Sequence, residues 1–510
     1  MVTRVTAQAA GRKVAKNVQK NVKRAVSGTL GISGERMTKV DTAWLRMDND
    51  ANLMMIVGVW QLAPGVKHAA VCERIENSLL KYDRFKQRVM EDAAGATWVM
   101  DRNFDLAHHV VPEKLPKSAN QEQALQDRVA VLATQRLDPK RPLWQIHLIE
   151  DYTGPDGVKG SAMIVRIHHC IADGIALISV TMSLVDGGAP PPERRKKAET
   201  AAGPEDWITD TLLKPFTDIT VKALGAVGEG AARSLGMLGD PKKGMEDGMH
   251  SSMDMAKVLM QVLKDGAALA LMPDDSKTRL KGKPGGAKKV AWCQPIPLDE
   301  VKAVGKALNC SINDVLLSCV AGALGEYLKS FGDDVAGQEI RAMVPVNLRP
   351  MDQAHKLGNR FGLVPLVLPI GVENPIERVY EVRRRMAALK GSYQPLLAFS
   401  LLAVAGLLIK PAQDVMLNLF AKKTTAVMTN VPGPREKLKF CGSTLEQSMF
   451  WVPQSGDVGL GVSILSYGGG VQFGVITDST LCPEPQRIID EFVPEFAKLS
   501  IVTLMLPWGE

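Results

Sequence analysis

The sequence predicts an α/β protein built in two units, and three observations carry that expectation. Between about residues 38 and 186, short apolar runs at 53–62, 97–100 and 145–149 alternate with helical stretches at 68–81 and 121–136, the pattern of sheets covered by helices. Residues 187–199 then turn Pro-rich and charged, with Ala-Pro-Pro-Pro-Glu-Arg-Arg-Lys-Lys at their centre, which reads as a linker. A second α/β unit runs from Val290 to the end of the 510 residues, a length with room for two or three domains.

Residues 1–38 form a basic extension. Val14, Val18, Val22 and Val26 recur every four residues among Arg12, Lys13, Lys16, Lys20, Lys23 and Arg24, a basic amphipathic helix pattern with a thin apolar stripe. Two readings stand side by side: attachment to anionic lipid, at about 1 kcal/mol per basic residue, and a solvated tail. Residues 39–186 are the first α/β unit. Residues 187–289 combine the linker with two amphipathic helices, about 207–225 and 253–271, and a Gly/Lys-rich loop at 277–289. Residues 290–510 are the second unit. The cluster Lys277, Arg279, Lys281, Lys283, Lys288 and Lys289 either meets phosphates or solvates that loop.

Composition narrows the class. Forty-five per cent apolar residues is ordinary for a globular chain. The net charge of +7 is concentrated in residues 1–39, where nine Lys or Arg face one Glu. Seven cysteines without a Cys-x-x-Cys pair argue against a disulfide framework or a zinc site and fit a reducing cytoplasm. The longest apolar run, 396–409, has 14 residues, short of the ~20 that span a bilayer. It reads as a buried core helix or, with the nearby run at 415–421, as a membrane-resting hairpin. No apolar core of a secretory signal follows the basic start.

The chemistry concentrates in His168-His169-x-x-x-Asp173-Gly174. Residues 162–167 before it read as a buried strand, and 174–185 after it as a helix. Successive strand side chains point to opposite faces, so at most one of the two histidines is catalytic. Asp173 stands where a helix N-cap or a buried salt-bridge partner belongs. Gly174 allows close backbone approach or an unhindered helix start. His108-His109 lacks the following Asp-Gly and reads as structural. The diverging histidines and the lack of a ligand cluster at metal spacing argue against a metal centre. No Gly-x-Ser-x-Gly elbow supports a serine hydrolase.

With Asp41-Thr42-Ala43-Trp44, Pro142-Leu143-Trp144, Asn313-Asp314-Val315-Leu316, Pro345-Val346-Asn347-Leu348-Arg349, Gly358-Asn359 and Asn430-Val431-Pro432-Gly433-Pro434, the motif resembles the bifunctional wax ester synthase / acyl-CoA:diacylglycerol acyltransferase family. The likeness spans roughly residues 40–505 and is loose between 187 and 287. It implies two chloramphenicol-acetyltransferase-like α/β domains forming a central tunnel, joined by a partly helical linker. It implies His169 as general base supported by His168, with acyl-CoA as substrate, no cofactor, and a long-chain alcohol or diacylglycerol as acceptor. Asn313 is the candidate to hold an oxyanion or position substrate, and equally a helix cap after Ser311. Asn430 carries a substrate-tunnel role by resemblance, and Trp144 is a core residue or a substrate contact. Asp173 is expected to anchor Arg88 or Arg349. The implied setting is cytoplasmic, peripheral to a membrane or lipid droplet, without nucleic acid. The competing expectations are a non-catalytic lipid-surface protein and a condensation-type enzyme fed by a carrier protein.

Overall fold

The computed structural model describes residues 34–92, 95–188, 272–348, 357–390, 398 and 421–506. Nearly all of the basic extension, the two expected linker helices and all but one residue of each apolar run lie outside the described residues. The described helices are α1 (Lys39–Arg46), α2 (His68–Asn77), α3 (Leu106–His109), α4 (Gln121–Thr134), α5 (Gly174–Leu184), α6 (Leu298–Ala307), α7 (Ile312–Lys329), α8 (Pro375–Lys390) and α9 (Pro485–Met505).

Strands fall into three sheets. A small one joins β1 (Gly34–Arg36), β3 (Gln87–Asp92) and β4 (Gly95–Met100). The first large sheet uses β2 (Met55–Ala63), β5 (Val110–Glu113), β6 (Trp144–Thr153), β7 (Lys159–His168), β13 (Lys439–Phe440) and β14 (Ser443–Trp451), in the order β13-β14-β2-β7-β6-β5. The second has β11 (Phe361–Leu368), β10 (Ile340–Asn347), β12 (Ala426–Pro432), β15 (Leu460–Tyr467), β16 (Gly470–Asp478) and β8 (Lys288–Trp292) in that order, with β9 (Ile296–Pro297) also on β16.

The sheets do not follow chain order. β14 pairs antiparallel with β2, from Thr444 opposite Ala63 to Trp451 opposite Val57, so a late segment completes the early sheet. Its residues alternate strictly between buried and half-buried, as a strand with one packed face must. The two units are therefore interlocked.

Expected and observed elements agree closely around the motif. The strand expected at 162–167 is the end of β7, and the helix expected at 174–185 is α5. The helix expected at 68–81 ends at Asn77 and continues as tight turns over Leu79–Lys81 and Asp83–Lys86. Helix α7 is buried over almost its whole circumference, the sign of a core helix. Val315, Leu316, Val320, Leu324 and Leu328 are each fully buried there, at about 1.5–3 kcal/mol apiece relative to exposure. Where the large sheets meet, Met55, Val57 and Val59 of β2 share one apolar cluster with Val290, Trp292, Trp451 and Ile476. The Trp292 indole donates to Glu122 at 2.8 Å, and the buried Lys288 ammonium reaches Asn52 at 2.6 Å and Gln454 at 3.0 Å.

Candidate active site

His168 closes β7, opposite Met55. Its amide donates to Leu143 O at 2.9 Å, while the amide of His169 donates to Met54 O at 2.7 Å. The adjacent backbones are thus pinned to opposite neighbours and the two rings part company. Burial disfavours a charged His168 ring, but Cys170 and Asp48 favour it, with a net rise above the ordinary imidazole value. Geometry sets a limit on that tendency. The Cys170 amide donates to Nδ1 at 3.1 Å, which needs an unprotonated nitrogen, so the proton sits on Nε2, 3.4 Å from Asp48 Oδ1. This ring is a brace, with no lone pair left for substrate.

His169 has the opposite surroundings. Only 3% exposed, its imidazole stacks on Trp44 (4.4 Å between centroids, 19°) and tilts against Phe361 (5.4 Å, 48°). Its carbonyl accepts from Asn359 Nδ2 at 2.7 Å. Asn359 is held in turn by Asp41 Oδ1, which accepts its amide at 3.0 Å and its Nδ2 at 2.8 Å. Burial pushes His169 down to about 4; Asp173, its own carbonyl and Asn359 pull upward without prevailing. The ring is therefore neutral at neutral pH. Among the described residues Nδ1 is sealed without a partner at hydrogen-bonding geometry, whereas Nε2 is not sealed in this way.

Asp173 is the N-cap of α5: Oδ1 accepts from the Ala176 amide at 2.9 Å and Oδ2 from the Arg360 amide at 2.9 Å. Its own amide donates to Gly358 O, and Ala172 bridges Gly358. Gly358 has φ +103, a backbone state that favours glycine, so the tie between the motif loop and the second sheet depends on it. Of the two arginines expected beside Asp173, Arg88 lies on β3 and makes no ion pair with it among the described residues, and Arg349 lies outside the described residues.

Gly174 opens α5, where a Cβ would meet nothing within 4 Å among the described residues. Beyond it lies an apolar cavity of about 170 Å³. Gly174, Leu177, Ile178 and Thr181 form one wall, at helical spacing. Gly58, Trp60, Val165 and Ile167 form the sheet floor, and Val431–Pro434 with Leu465 close the far side. The cavity thus lies between the two units, where ligand sites concentrate. His169 does not line it; the residues on either side, Ile167 and Gly174, do.

Asn313 and Asn430, far apart in sequence, meet: Asn430 Nδ2 donates to Asn313 Oδ1 at 3.0 Å. Ser311 caps α7 in a reciprocal box with Asp314, so the cap is Ser311 and Asn313 is not needed for it. No hydrogen bond or ring contact joins this pair to His169 among the described residues. Trp144 is a core residue that also borders the cavity. It is 1% exposed, donates from Nε1 to Phe85 O at 2.8 Å, and lines the cavity. Much of the basic cluster is structural. Arg279 pairs with Asp333 at 2.6 Å, Lys281 bonds Ala421 and Thr424 carbonyls, and Lys288 is buried.

Sequence reasoning singled out Asp41, Trp44 and Asn359 only as landmarks and missed Asp48 and Phe361. The i, i+3 spacing of Asp41 and Trp44 on α1 was a legible signal for a shared face; nothing in the sequence marked Asp48.

Comparison with known proteins identifies the family and the fold. Residues 37–316 match the model of the wax ester synthase/diacylglycerol acyltransferase catalytic domain, and residues 357–500 match the WS/DGAT C-terminal domain. A probable diacylglycerol O-acyltransferase of Mycobacterium tuberculosis is 26% identical over 479 residues, covering 92% of this chain and 96% of the relative. Among solved structures, the wax ester synthase/diacylglycerol acyltransferase from Marinobacter aquaeolei VT8 superposes with a TM-score of 0.61 at 19% identity, over 92% of this chain and 99% of that one. The first condensation domain of the CDA synthetase shares the fold, with a TM-score of 0.56 at 14% identity over 92% and 96%. With both family domains matched in order along one chain, the protein belongs to the wax ester synthase/diacylglycerol acyltransferase family and is an acyltransferase.

Proposed function

We propose that the chain transfers a long-chain fatty acyl group from acyl-CoA to a long-chain alcohol or to diacylglycerol, with His169 as general base. The observation that carries this reading is a neutral, buried imidazole in the loop whose flanks line an apolar cavity between the two units. A hydroxyl is a poor nucleophile at neutral pH, and a positioned imidazole lets it attack without a discrete alkoxide. Nε2 accepts the hydroxyl proton as oxygen bonds to the thioester carbonyl carbon. The resulting oxyanion is stabilised by the Asn313 amide, whose orientation Asn430 holds. A preorganised donor of this kind contributes about 3–4 kcal/mol. The C–S bond then breaks, the imidazolium protonates the departing sulfur, and ester and free CoA leave. Gly174 keeps the cavity open for an alkyl chain, and Asp173 is a positioning residue that fixes the loop.

Insoluble acceptors and products place the reaction at a membrane or lipid-droplet surface. Among the described residues no single helix is long and apolar enough to cross a membrane. The end of α9 exposes Ile501, Leu504 and Met505, an apolar tip suited to resting on lipid.

The test is thiol release from palmitoyl-CoA with hexadecanol and, separately, with dipalmitoylglycerol. Acceptor-dependent release that disappears in a folded His169→Ala variant is expected. Absence of release with both acceptors, in folded lipid-bound protein, would overturn the reading in favour of a carrier-fed or non-catalytic protein.

A further inference from the structure

Helix α1 contributes two side chains to the surroundings of His169. Asp41 and Trp44 are three residues apart, on one helical face. Asp41 grips Asn359, which holds the His169 carbonyl at 2.7 Å. Trp44 covers the imidazole at 4.4 Å and 19°, while Phe361 lies 5.4 Å from the imidazole at 48° and 5.6 Å from Trp44, so the three rings form one mutually contacting cluster in which only Trp44 lies face to face on His169. In a hydrolase triad, a carboxylate bonded to Nδ1 aims the catalytic ring. Here Nδ1 is buried with no partner at hydrogen-bonding geometry among the described residues; Asn359 and the residue's own carbonyl pull on the ring only weakly, and backbone bonds do not fix χ1 and χ2.

We infer that Trp44 is a positioning residue: the face of its indole, rather than a hydrogen bond, holds the His169 ring in the orientation that aims Nε2 at the acceptor hydroxyl. This rests on the reading of His169 as base. The stack also keeps water from the ring, consistent with the depression of His169 to about 4. A ring face resists tilting because its contact is lost over many atoms at once, each contributing a little dispersion.

Trp44→Phe retains an aromatic face, whereas Trp44→Leu fills the site without one; both remove indole volume. Steady-state kinetics against palmitoyl-CoA, the pH profile of kcat/KM, and thermal melting separate positioning from packing. Trp44→Leu should lower kcat about tenfold or more, since sub-ångström to ångström misplacement carries such losses. Its KM should stay within about twofold, and its acid limb should move to higher pH as the ring gains solvent. Trp44→Phe should recover most of kcat at a comparable melting temperature. If Phe and Leu lower activity alike, in step with melting temperature and with the pH profile unmoved, Trp44 is only core and the inference falls. His169→Ala distinguishes the two levels. A folded His169→Ala enzyme that keeps acyl transfer overturns the base and Trp44's role with it; a dead one, beside an unaffected Trp44→Leu, overturns Trp44's role alone.

Discussion

Two adjacent-histidine pairs in this chain reach almost the same local physics and differ in what surrounds them. His109 stacks on Trp144 at 4.4 Å and 19°, as His169 does on Trp44. Burial pushes both down to about 4, and both are nearly inaccessible. His109, however, spends Nδ1 on Trp144 O at 2.7 Å, and its Nε2 is sealed. His169 has its carbonyl tied to the second unit through Asn359, and its loop runs into a capped helix beside a cavity. Stacking and a low pKa are therefore common to both rings; what sets His169 apart is that its Nε2 is not sealed as that of His109 is, and that the flanks of its loop line the cavity.

The sharpest way to break the comparison is alanine substitution in both pairs. His169→Ala should cost about 10²–10⁴-fold in kcat, the usual contribution of a general base, with melting little changed. His109→Ala should lower the melting temperature through its lost bond and stack, with kcat per folded molecule unchanged. Equal losses of kcat in the two would remove the distinction.

Asn359→Ala cuts the tie that His109 lacks. It frees the His169 carbonyl and leaves Asp41, 1% exposed, with the backbone amide of residue 359 but without the Nδ2 donor, so stability should fall by about 2 kcal/mol and kcat by about tenfold, the scale of a misplaced catalytic group. Urea denaturation and steady-state rates on one preparation measure both.

The shared depression of the two rings predicts a shared acid sensitivity. Each ring titrates near 4 when folded, against an ordinary 6.5. Above about 6.5 both states are neutral and the linkage contributes nothing. As pH falls below that, the unfolded chain takes protons that the folded rings refuse. Stability then drops, by roughly 3 kcal/mol per ring once pH nears 4. His109→Phe should make the decline between pH 6.5 and 4.5 shallower by one proton, read from denaturation midpoints. The wild-type kcat/KM should hold down to about pH 5, because the base stays unprotonated there; loss of activity with an apparent pKa near 6.5 would contradict the buried ring.

The smallest effect on stability is expected at Gly174. Since an added Cβ meets nothing within 4 Å among the described residues, Gly174→Val should change stability by no more than about 0.5–1 kcal/mol while narrowing the cavity. Competition between decanoyl- and palmitoyl-CoA should then shift toward the shorter chain; an unchanged ratio would show that the chain does not pass this helix start.

The α/β class, the strand and helix around the motif and the divergence of the two histidines were legible, because each follows from periodicity and from residues adjacent in the chain. Asp173 as a cap was legible for the same reason. The choice of His169 over His168 came with the family resemblance alone. Pairing β14 with β2 was not legible: a strand with one packed face specifies that it needs a neighbour, not which one. Asn313 and Asn430 were each noted without their contact, since two residues 117 positions apart share no local signal.

The sequence by itself determined which side chains are present, their local secondary structure and, through motif order, the family. Only the tertiary structure decided which nitrogen is free. Asp48 and the Cys170 amide occupy His168; Trp44, Phe361 and Asn359 enclose His169 and leave Nε2. Such differences arise from burial and from partners brought together across the fold, and an imidazole's protonation and reach are set by those neighbours rather than by its place in the chain.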